Sequence, residues 1–263
     1  MAKKYGDVEV SDAGDFVALL EIQRGPNNFF DQALIASIAD ALDDLDEDSN
    51  CRVVVLASQG KHFCAGANFG SSSERAERSE RGPEQGNPLY REAVRLFRNK
   101  KQVIAAVQGA AVGGGFGLAM FADFRVACPE ARFTANFVKL GFTPGFGLTH
   151  TLPRIVGQQV AADIFYTGRR LTGEQAQTLG IVDRLVPQDQ VRDAAIAYAR
   201  EIAENAPLAL ISVRNSLRGD LADAVQAATD HEGVEQYHLQ RTSDHKEGVK
   251  AVAERRTGNF TGT

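Results

Sequence analysis

Alternating apolar and polar residues near the N-terminus predict a β-hairpin. Val8 and Val10 alternate with polar neighbours, and Asp12-Ala13-Gly14 has the composition of a turn. The apolar residues 16–20 then return along the first strand as a second, buried strand. The chain therefore begins with two antiparallel strands.

Helices and strands alternate in the segments that follow. Apolar residues recur at helical spacing over residues 30–46, and the β-branched run at residues 52–57 (RVVVLA) is typical of a buried parallel strand. A helix is predicted near residues 88–99 and an apolar strand over residues 103–107. The alternation continues to about residue 186, which predicts an α/β fold of stacked β-β-α units.

Beyond Pro187 the pattern is almost entirely helical. It covers residues 189–254, with a break between helices at Ala206-Pro207. We therefore predict an α/β core over residues 1–187 and a C-terminal helical region over residues 188–263. The helical region is too thin to fold alone, so it must pack on the core or on a neighbouring subunit.

Residues 71–87 (SSSERAERSERGPEQGN) form a polar, charged segment that is almost free of large apolar side chains. Such a composition is typical of a loop. The segment can serve as a flap over an active site, or it can be a solvated spacer without a role in function. The sequence pattern alone does not choose between the two.

Composition and charge place the chain among ordinary globular proteins. Of its 263 residues, 43% are hydrophobic and 24% are charged, and no apolar run approaches the roughly 20 residues of a membrane span. The N-terminus lacks the apolar stretch of a secretory signal. The three cysteines have no metal-like spacing and indicate reduced thiols, so we expect a cytoplasmic protein. A net charge of −5 gives no footprint for nucleic acid.

Three histidines recur in the helical region at intervals of seven residues, at His231, His238 and His245. That spacing predicts one helical face. Metal ligands on a helix prefer closer pairs, so we interpret the face as solvated or as part of an interface, and we expect no metal site.

Two glycine-rich segments carry the candidate chemistry. Residues 60–69 (GKHFCAGANF) follow a strand, and residues 109–117 (GAAVGGGFG) lie between a strand and a helix. Glycines at such joints let a ligand approach the backbone, and a helix N-terminus offers unbonded N–H groups. Two convergent N–H groups can stabilise an oxyanion. Each segment alone is equally consistent with a tight packing turn, and neither forms a phosphate-binding loop or a dinucleotide-binding motif.

Taken together with their flanks, these segments resemble the crotonase (enoyl-CoA hydratase/isomerase) superfamily. KHFCAGANF is similar to its first signature, AAVQGAAVGGGFGLAMFADFRVAC to its second and ARFTANFVKLGFTPGFGLTHTLPRIVG to the segment that follows. The resemblance spans residues 8–260. It implies a spiral of β-β-α units with a C-terminal helical trimerisation region, and a homotrimer or dimer of trimers. It also implies an acyl-CoA substrate, with coenzyme A as part of that substrate and no permanently bound cofactor.

The resemblance also implies the roles of particular residues. The backbone N–H groups of Ala67 and Gly114 would form an oxyanion hole for the thioester carbonyl. Coenzyme A would contact four further residues, which are Arg24, Ala65, Asn68 and Phe260. Two of them have a simpler interpretation. Arg24 can be a solvated cation at a strand end, and Phe260 can pack the C-terminus.

The sequence departs from the hydratase pattern at both glutamates that activate water in the family. The corresponding positions are Gly117 and Phe137, and the turn at residues 143–147, where other members place an aspartate, has no carboxylate. We therefore expect a reaction other than standard hydration, such as isomerisation, hydrolysis or cleavage. Phe116 and Phe137 suggest an apolar acyl pocket. The alternatives are a hydratase with weak or absent activity and a non-catalytic acyl-CoA binding protein.

Few side chains near the predicted site could act as an acid or base. His150 follows the turn and is our candidate base, with structural hydrogen bonding as its alternative role. Other candidates are His62, before the first signature, and Glu84 and Glu92, which flank the polar segment. Asp123 is interpreted as a structural acid.

Overall fold

The computed structural model of the chain describes residues 2–67 and 86–263. In these residues the strands form two sheets. The larger sheet has seven strands in the order β1-β2-β3-β4-β5-β7-β10. β1, β2 and β3 are antiparallel, and the strands from β3 onwards are parallel. The strands of this sheet are β1 (Lys3–Tyr5), β2 (Val8–Asp12), β3 (Val17–Ile22), β4 (Val53–Ser58), β5 (Gln102–Val107), β7 (Phe124–Ala127) and β10 (Arg184–Leu185).

Every residue of β4 and of β5 is buried, as expected for central parallel strands that helices cover on both faces. The smaller sheet has the order β6-β8-β9, with β6 and β8 parallel and β8 and β9 antiparallel. Its strands are only three residues long. They are β6 (Ala110–Val112), β8 (Arg132–Thr134) and β9 (Arg170–Thr172).

Ten α-helices cover the sheets in the described part of the chain, and two short 3-10 helices occupy residues 137–140 and 188–190. The helices are α1 (Gln32–Glu47), α2 (Pro88–Phe97), α3 (Gly114–Phe121), α4 (Leu148–Val156), α5 (Gln158–Thr167), α6 (Gly173–Thr178), α7 (Val191–Ala203), α8 (Pro207–Arg218), α9 (Leu221–Leu239) and α10 (Ser243–Ala253).

The C-terminal helices pack on the elements that precede them. α7 packs on β4, β5 and β7, while α9 packs on α2 and α4, and α10 packs on the 3-10 helix at residues 137–140. Asp123, immediately before β7, accepts hydrogen bonds from Arg214 and Arg218 of α8 and from the N–H of Val103. Asp123 thus joins the helical region to the sheet, which fits a structural acid.

The α/β class predicted from the sequence is confirmed, and the predicted hairpin, helices and apolar strands all form, within a few residues of the predicted bounds. One expectation was wrong. His245 does not share a helix with His231 and His238, because α9 ends at Leu239 and a new helix begins at Ser243. The polar segment at residues 71–87 lies outside the described residues except for its last two positions.

Candidate active site

The two glycine-rich segments lie side by side because their backbones pair. The N–H of Cys64 donates to the carbonyl of Ala110 at 2.9 Å, and the N–H of Val112 donates to the carbonyl of Cys64 at 3.0 Å. This pairing aligns residues 65–67 of the first segment with residues 113–114 of the second. The sequence alone did not show this contact, which brings both predicted oxyanion residues to one place.

The first segment is shaped by a glycine with a positive φ angle. Gly66 has φ +91°, and a Cβ atom there would lie 2.9 Å from the carbonyl oxygen of Val112. Phe30 forms a parallel bridge with Ala67, in which the N–H of Phe30 donates to the carbonyl of Gly66 at 3.1 Å. This bridging bond uses the carbonyl of Gly66 and not the N–H of Ala67.

The second segment ends in the N-terminus of α3. Gly113 precedes the helix with φ 55° and ψ −121°, and no side chain caps the helix there. The first N–H groups of a helix have no partner within it and lie at the positive end of its dipole. Gly114 is the first helical residue, and a Cβ atom there would lie 2.2 Å from Cζ of Phe30. Only glycine at position 114 lets the Phe30 ring lie against this helix end.

A cavity of about 1120 Å³ opens beside both segments, with Ala67 and Gly114 on its wall. Its size suits a small-molecule ligand. Among the described lining residues, the carboxylates belong to Asp31 and Asp230. Asp31 caps α1 through the N–H of Leu34. The wall also includes the aromatic residues Phe30, Phe137, Phe142 and Phe146, and the cationic residues Arg91, Arg170 and Arg241.

The comparison with known families agrees with the resemblance seen in the sequence. Residues 12–263 match the family model described as enoyl-CoA hydratase/isomerase. The chain belongs to the enoyl-CoA hydratase/isomerase family. Its membership of the crotonase superfamily is thereby confirmed.

Similar members of the family have different named activities. The chain is 32% identical over 250 residues to the 2,3-dehydroadipyl-CoA hydratase of Escherichia coli, covering 94% of this chain and 95% of that protein. It is 31% identical over 242 residues to the 1,2-epoxyphenylacetyl-CoA isomerase of the same organism, covering 89% and 90%. A hydratase and an isomerase are thus about equally similar to it.

The fold is also found in solved structures of the family. The crystal structure of an enoyl-CoA hydratase/isomerase from Pseudoalteromonas atlantica aligns with a TM-score of 0.84 at 28% sequence identity. The alignment covers 97% of this chain and all of that one. The fold of this chain, including its helical region, is therefore shared with this relative.

Three of the site residues predicted from the sequence come together. Ala65, Ala67 and Gly114 all line the cavity. Asn68 lies outside the described residues. Arg24 is close to the cavity through an ion pair of 2.7 Å with Asp31, and its Nε also donates to Asp7 at 2.5 Å.

The other predicted residues that the structure describes lie away from the cavity wall. Phe260 is 44% exposed and contacts Gly258 of its own chain. His150 lies on α4, where burial, and secondarily Arg154, lower its pKa, and its buried Nε2 has no partner among the described atoms. Nδ1 of His62 accepts from the N–H of Ala110 at 3.4 Å, and Glu92 pairs with Arg95 at 2.6 Å. Glu84 lies outside the described residues.

The two positions that the resemblance assigns to the hydratase glutamates have different surroundings. Phe137 lines the cavity. Gly117 is buried in α3, and a Cβ atom there would lie 2.7 Å from Cβ of Phe146. Of the two residues expected to form an apolar pocket, Phe137 lines the cavity and Phe116 does not. Phe116 instead packs on Phe133, with ring centroids 5.5 Å apart.

Sequence analysis missed three polar residues at the cavity. Tyr90 of α2 and Gln236 of α9 line it, and Glu232 of α9 binds the adjoining turn. Gln236 donates from Nε2 to the carbonyls of Thr143 and Pro144, at 3.1 and 3.2 Å. The helical pattern located Tyr90 on a helix but gave no reason to separate it from ordinary core residues.

Glu232 holds the other end of the same turn. Its carboxylate accepts from the N–H of Gly147 at 2.8 Å, from the N–H of Thr149 at 3.1 Å and from the hydroxyl of Thr149 at 2.6 Å. A carboxylate at the N-terminus of α4 is favoured by the helix dipole. Burial nevertheless raises the pKa of Glu232 to about 7, because its loss of solvation outweighs the opposing effect of these donors.

The turn held by α9 presents Phe146 to the cavity. Phe146 has φ 64°, a conformation that an aromatic residue rarely adopts, and its side chain is only 1% exposed. Its ring meets that of Phe30 edge-on, with centroids 6.0 Å apart. Phe30 in turn lies against Gly114, so the turn, the aromatic wall and the helix end form one packed unit.

Other reactive chemistry is not supported at this site. Burial raises the pKa of the Cys64 thiol to about 12, so that the side chain is a poor nucleophile. Across residues 2–67 and 86–263, no group of three or more His, Cys, Asp or Glu side chains could hold a metal ion.

None of the helices in those same ranges has the length and apolarity required to cross a membrane.

Proposed function

We propose that this protein acts on acyl-CoA thioesters, and that it stabilises a thioester enolate between the N–H groups of Ala67 and Gly114. The observation that carries the proposal is the pairing of the two glycine-rich segments through Cys64, which puts both residues on the wall of one cavity. Backbone donors directed at a developing oxyanion are an effective form of catalysis.

The proposed reaction is not standard hydration. Gly117 and Phe137 stand where family hydratases have their two glutamates, and neither side chain can position water or transfer a proton. The aromatic wall supports an apolar or aromatic acyl group. We therefore favour an isomerase or lyase, with an unidentified acid or base. A hydratase with weak activity and a non-catalytic acyl-CoA binding protein are the alternatives.

The coenzyme A portion of the substrate is proposed to lie along Ala65 and Asn68, with Arg24 near its phosphates and Phe260 near it from the C-terminus. Coenzyme A enters as part of the substrate, and no resident cofactor is required. His150 stays a proposal as the base. The neutral form that its lowered pKa favours suits the role, but its position on α4 away from the cavity wall does not.

We further propose a homotrimer or dimer of trimers in the cytoplasm, with residues 188–263 as the trimerisation region. Exposed apolar side chains on α8 support this, since Leu208 and Leu217 are 81% and 75% exposed. Light scattering on the purified protein will test it. A monomer in solution contradicts the proposal.

The enolate is best tested by hydrogen exchange at the α-carbon, which does not depend on the later steps of the reaction. Saturated and aromatic acyl-CoA esters are incubated with the protein in deuterated buffer and followed by NMR. We expect exchange at the α-carbon with the wild-type protein. Absence of exchange and of turnover contradicts an enzyme, and tight binding without either supports the binding protein. Rapid hydration of crotonyl-CoA contradicts the proposed departure from hydration.

Substitution of Gly114 by proline removes one proposed donor. Proline is compatible with the first position of a helix, but its ring would meet Phe30. The variant Gly114→Pro is therefore made in a Phe30→Ala background, with Phe30→Ala alone as the matched control. We expect exchange to slow about 100-fold relative to that control, which is typical of losing one oxyanion donor. An unchanged rate in the folded variant contradicts the role of Gly114.

A further inference from the structure

Arg170, the first residue of β9, lines the cavity with an exposed side chain. Among the atoms that the structure describes, its guanidinium group has no hydrogen bond and no ion pair. The adjacent Arg169 differs, because its Nε donates to Asp163 at 2.8 Å. A guanidinium group has five N–H donors and a permanent charge, so an unpaired one in a cavity wall can bind an anionic group of a ligand.

The other charges of the cavity favour the same role. The whole chain has a net charge of −5, but the described lining residues include three arginines and two aspartates. Both aspartates, Asp31 and Asp230, have partners among the side chains of the protein. Arg91 and Arg241 also interact within the chain, and their charges add to the attraction for an anion. The described lining is therefore positive, and Arg170 is the cation in it without a described partner.

Paired backbone segments define where Arg170 lies relative to the proposed oxyanion residues. Phe30 forms a bridge with Ala67, and Cys64 forms one with Ala111 of β6. β6 pairs with β8, and β8 pairs with β9. The spatial order is therefore Phe30, the first glycine-rich segment, β6, β8 and β9. Ala67 and the start of the second segment lie in the middle of this order, and Arg170 lies at its far edge.

The register of the smaller sheet gives the distance. Val112, Thr134 and Arg170 form one row across β6, β8 and β9. Paired residues share a face of a sheet, and Val112 and Arg170 both line the cavity. Adjacent strands lie about 5 Å apart, so the backbone of Arg170 is about 10 Å from that of Val112, which directly precedes Gly113 and Gly114. A ligand whose carbonyl lies at Gly114 can reach the guanidinium group through a chain of several carbon atoms.

We propose that Arg170 binds a carboxylate at the far end of the acyl group, so that the substrates are thioesters of dicarboxylic acids with an apolar chain between the two carboxyl carbons. Arg24 lies at the opposite edge, where it pairs with Asp31 next to Phe30. With coenzyme A extending towards Arg24, the acyl group extends towards Arg170. The proposal rests on the proposed function, because it assumes that an acyl-CoA occupies this cavity in that orientation.

The chemistry of the wall matches such an acyl group. Phe137 and Phe142 line the cavity and offer apolar surface to the chain. A guanidinium group can bind a carboxylate with two parallel N–H donors, which offsets the hydration that the carboxylate loses on entry.

Binding affinities test the proposal without any need for turnover. Calorimetry is performed with adipyl-, suberyl- and sebacyl-CoA, and with the monocarboxylic esters of the same lengths, hexanoyl-, octanoyl- and decanoyl-CoA. For at least one length, Arg170→Gln should weaken binding of the dicarboxylic ester about 10-fold, between the values for an exposed ion pair and for a buried charged hydrogen bond. Binding of the monocarboxylic esters should not change.

The matched control is Arg169→Gln, which removes the same charge from the adjacent residue. Arg169 pairs with Asp163 and is not among the described lining residues, so this variant should bind every ester as the wild-type protein does. Circular dichroism establishes that both variants fold. If Arg170→Gln does not fold, the wild-type protein still decides, because it should bind a dicarboxylic ester more tightly than the derivative whose terminal carboxylate is methylated.

The phosphates of coenzyme A are the other anions that Arg170 could bind. In that case Arg170→Gln would weaken the dicarboxylic and monocarboxylic esters alike, and this result overturns the proposal. It is also overturned if Arg170→Gln changes no affinity, if the methylated derivative binds as tightly as the free acid, or if the wild-type protein binds only monocarboxylic esters. Failure of the proposed function has a different signature, in which no acyl-CoA binds to the wild-type protein.

Discussion

Glu232 and Gln236, one turn apart on α9, hold opposite ends of a single turn with hydrogen bonds of opposite polarity. Glu232 accepts from the N–H groups of Gly147 and Thr149, and Gln236 donates to the carbonyls of Thr143 and Pro144. Residues four apart share a helix face, which is why one helix can bind both ends. The turn in between carries Phe146, so the helical region determines the shape of the cavity.

Loss of the Glu232 carboxylate should destabilise the fold. In Glu232→Ala, the buried N–H group of Gly147 and the partly buried N–H group of Thr149 lose their acceptor, and we expect the free energy of unfolding to fall by about 2 to 4 kcal/mol. Urea denaturation measures this change. Glu235→Ala on the same helix is the control, and should change the free energy by less than about 1 kcal/mol. Equal effects of the two substitutions contradict the role of Glu232.

The raised pKa of Glu232 predicts a pH dependence of stability. Its pKa is raised from an ordinary value of 4.5 to about 7 in the folded state, so the folded protein holds a proton that the unfolded chain has already released. The free energy of unfolding should therefore decrease as the pH rises between these values, by about 3 kcal/mol in total. The stabilisation is fully present below the lower value.

The matched variant for this pH dependence is Glu232→Gln, which cannot ionise and resembles the protonated acid. Its unfolding free energy should lack the decrease that the wild-type protein shows over the same pH range. Urea denaturation at intervals across that range gives the difference between the two proteins. Parallel pH profiles would show that the ionisation of Glu232 does not contribute.

Contact between Gly117 and Phe146 should appear as energetic coupling. A methyl group at position 117 would lie 2.7 Å from Cβ of Phe146, so we expect Gly117→Ala to destabilise the protein by about 1 to 3 kcal/mol through overpacking. In a Phe146→Ala background most of this cost should remain, because Cβ itself is the closest atom, but the part due to the ring atoms Cγ and Cδ1, both 2.9 Å away, should disappear. Additivity of the two substitutions in a double-mutant cycle contradicts this coupling.

Arg24 offers a test of the proposed coenzyme A contact. If its guanidinium binds the nucleotide phosphates, Arg24→Ala should raise KM for an acyl-CoA about 10-fold, the magnitude of one charge-assisted hydrogen bond. The corresponding acyl-pantetheine thioester, which lacks those phosphates, is the control and should show no change. An equal rise for both substrates indicates that Arg24 acts only through its ion pairs with Asp7 and Asp31.

The elements that the sequence predicted are those with a strong local pattern. The apolar runs of β4 and β5 and the helical spacing of α1 depend on neighbouring residues, and all three form. The strands of the smaller sheet were missed, because three residues are too few to show a period.

Candidate site residues also divide into those that a local sequence pattern predicts and those that it does not. Ala65, Ala67 and Gly114 were found because they belong to contiguous motifs. The Tyr90–Gln236 hydrogen bond joins residues 146 positions apart, and the bond from Gly147 to Glu232 joins residues 85 positions apart. No local sequence pattern predicts such a pair, because its two residues meet only when α9 packs against α2 and α4.

The hydrogen bonds between α9 and the turn also determine the order in which the site assembles. During synthesis, the paired glycine-rich segments and the turn leave the ribosome long before Glu232 and Gln236, which follow the groups they bind at the turn by 83 to 93 positions. Domains generally fold as the chain emerges. An emerging chain can therefore bring Ala67 and Gly114 together while the wall formed by Phe146 and Tyr90 is still unsupported, and a cavity able to select its ligand exists only after the last helices have docked.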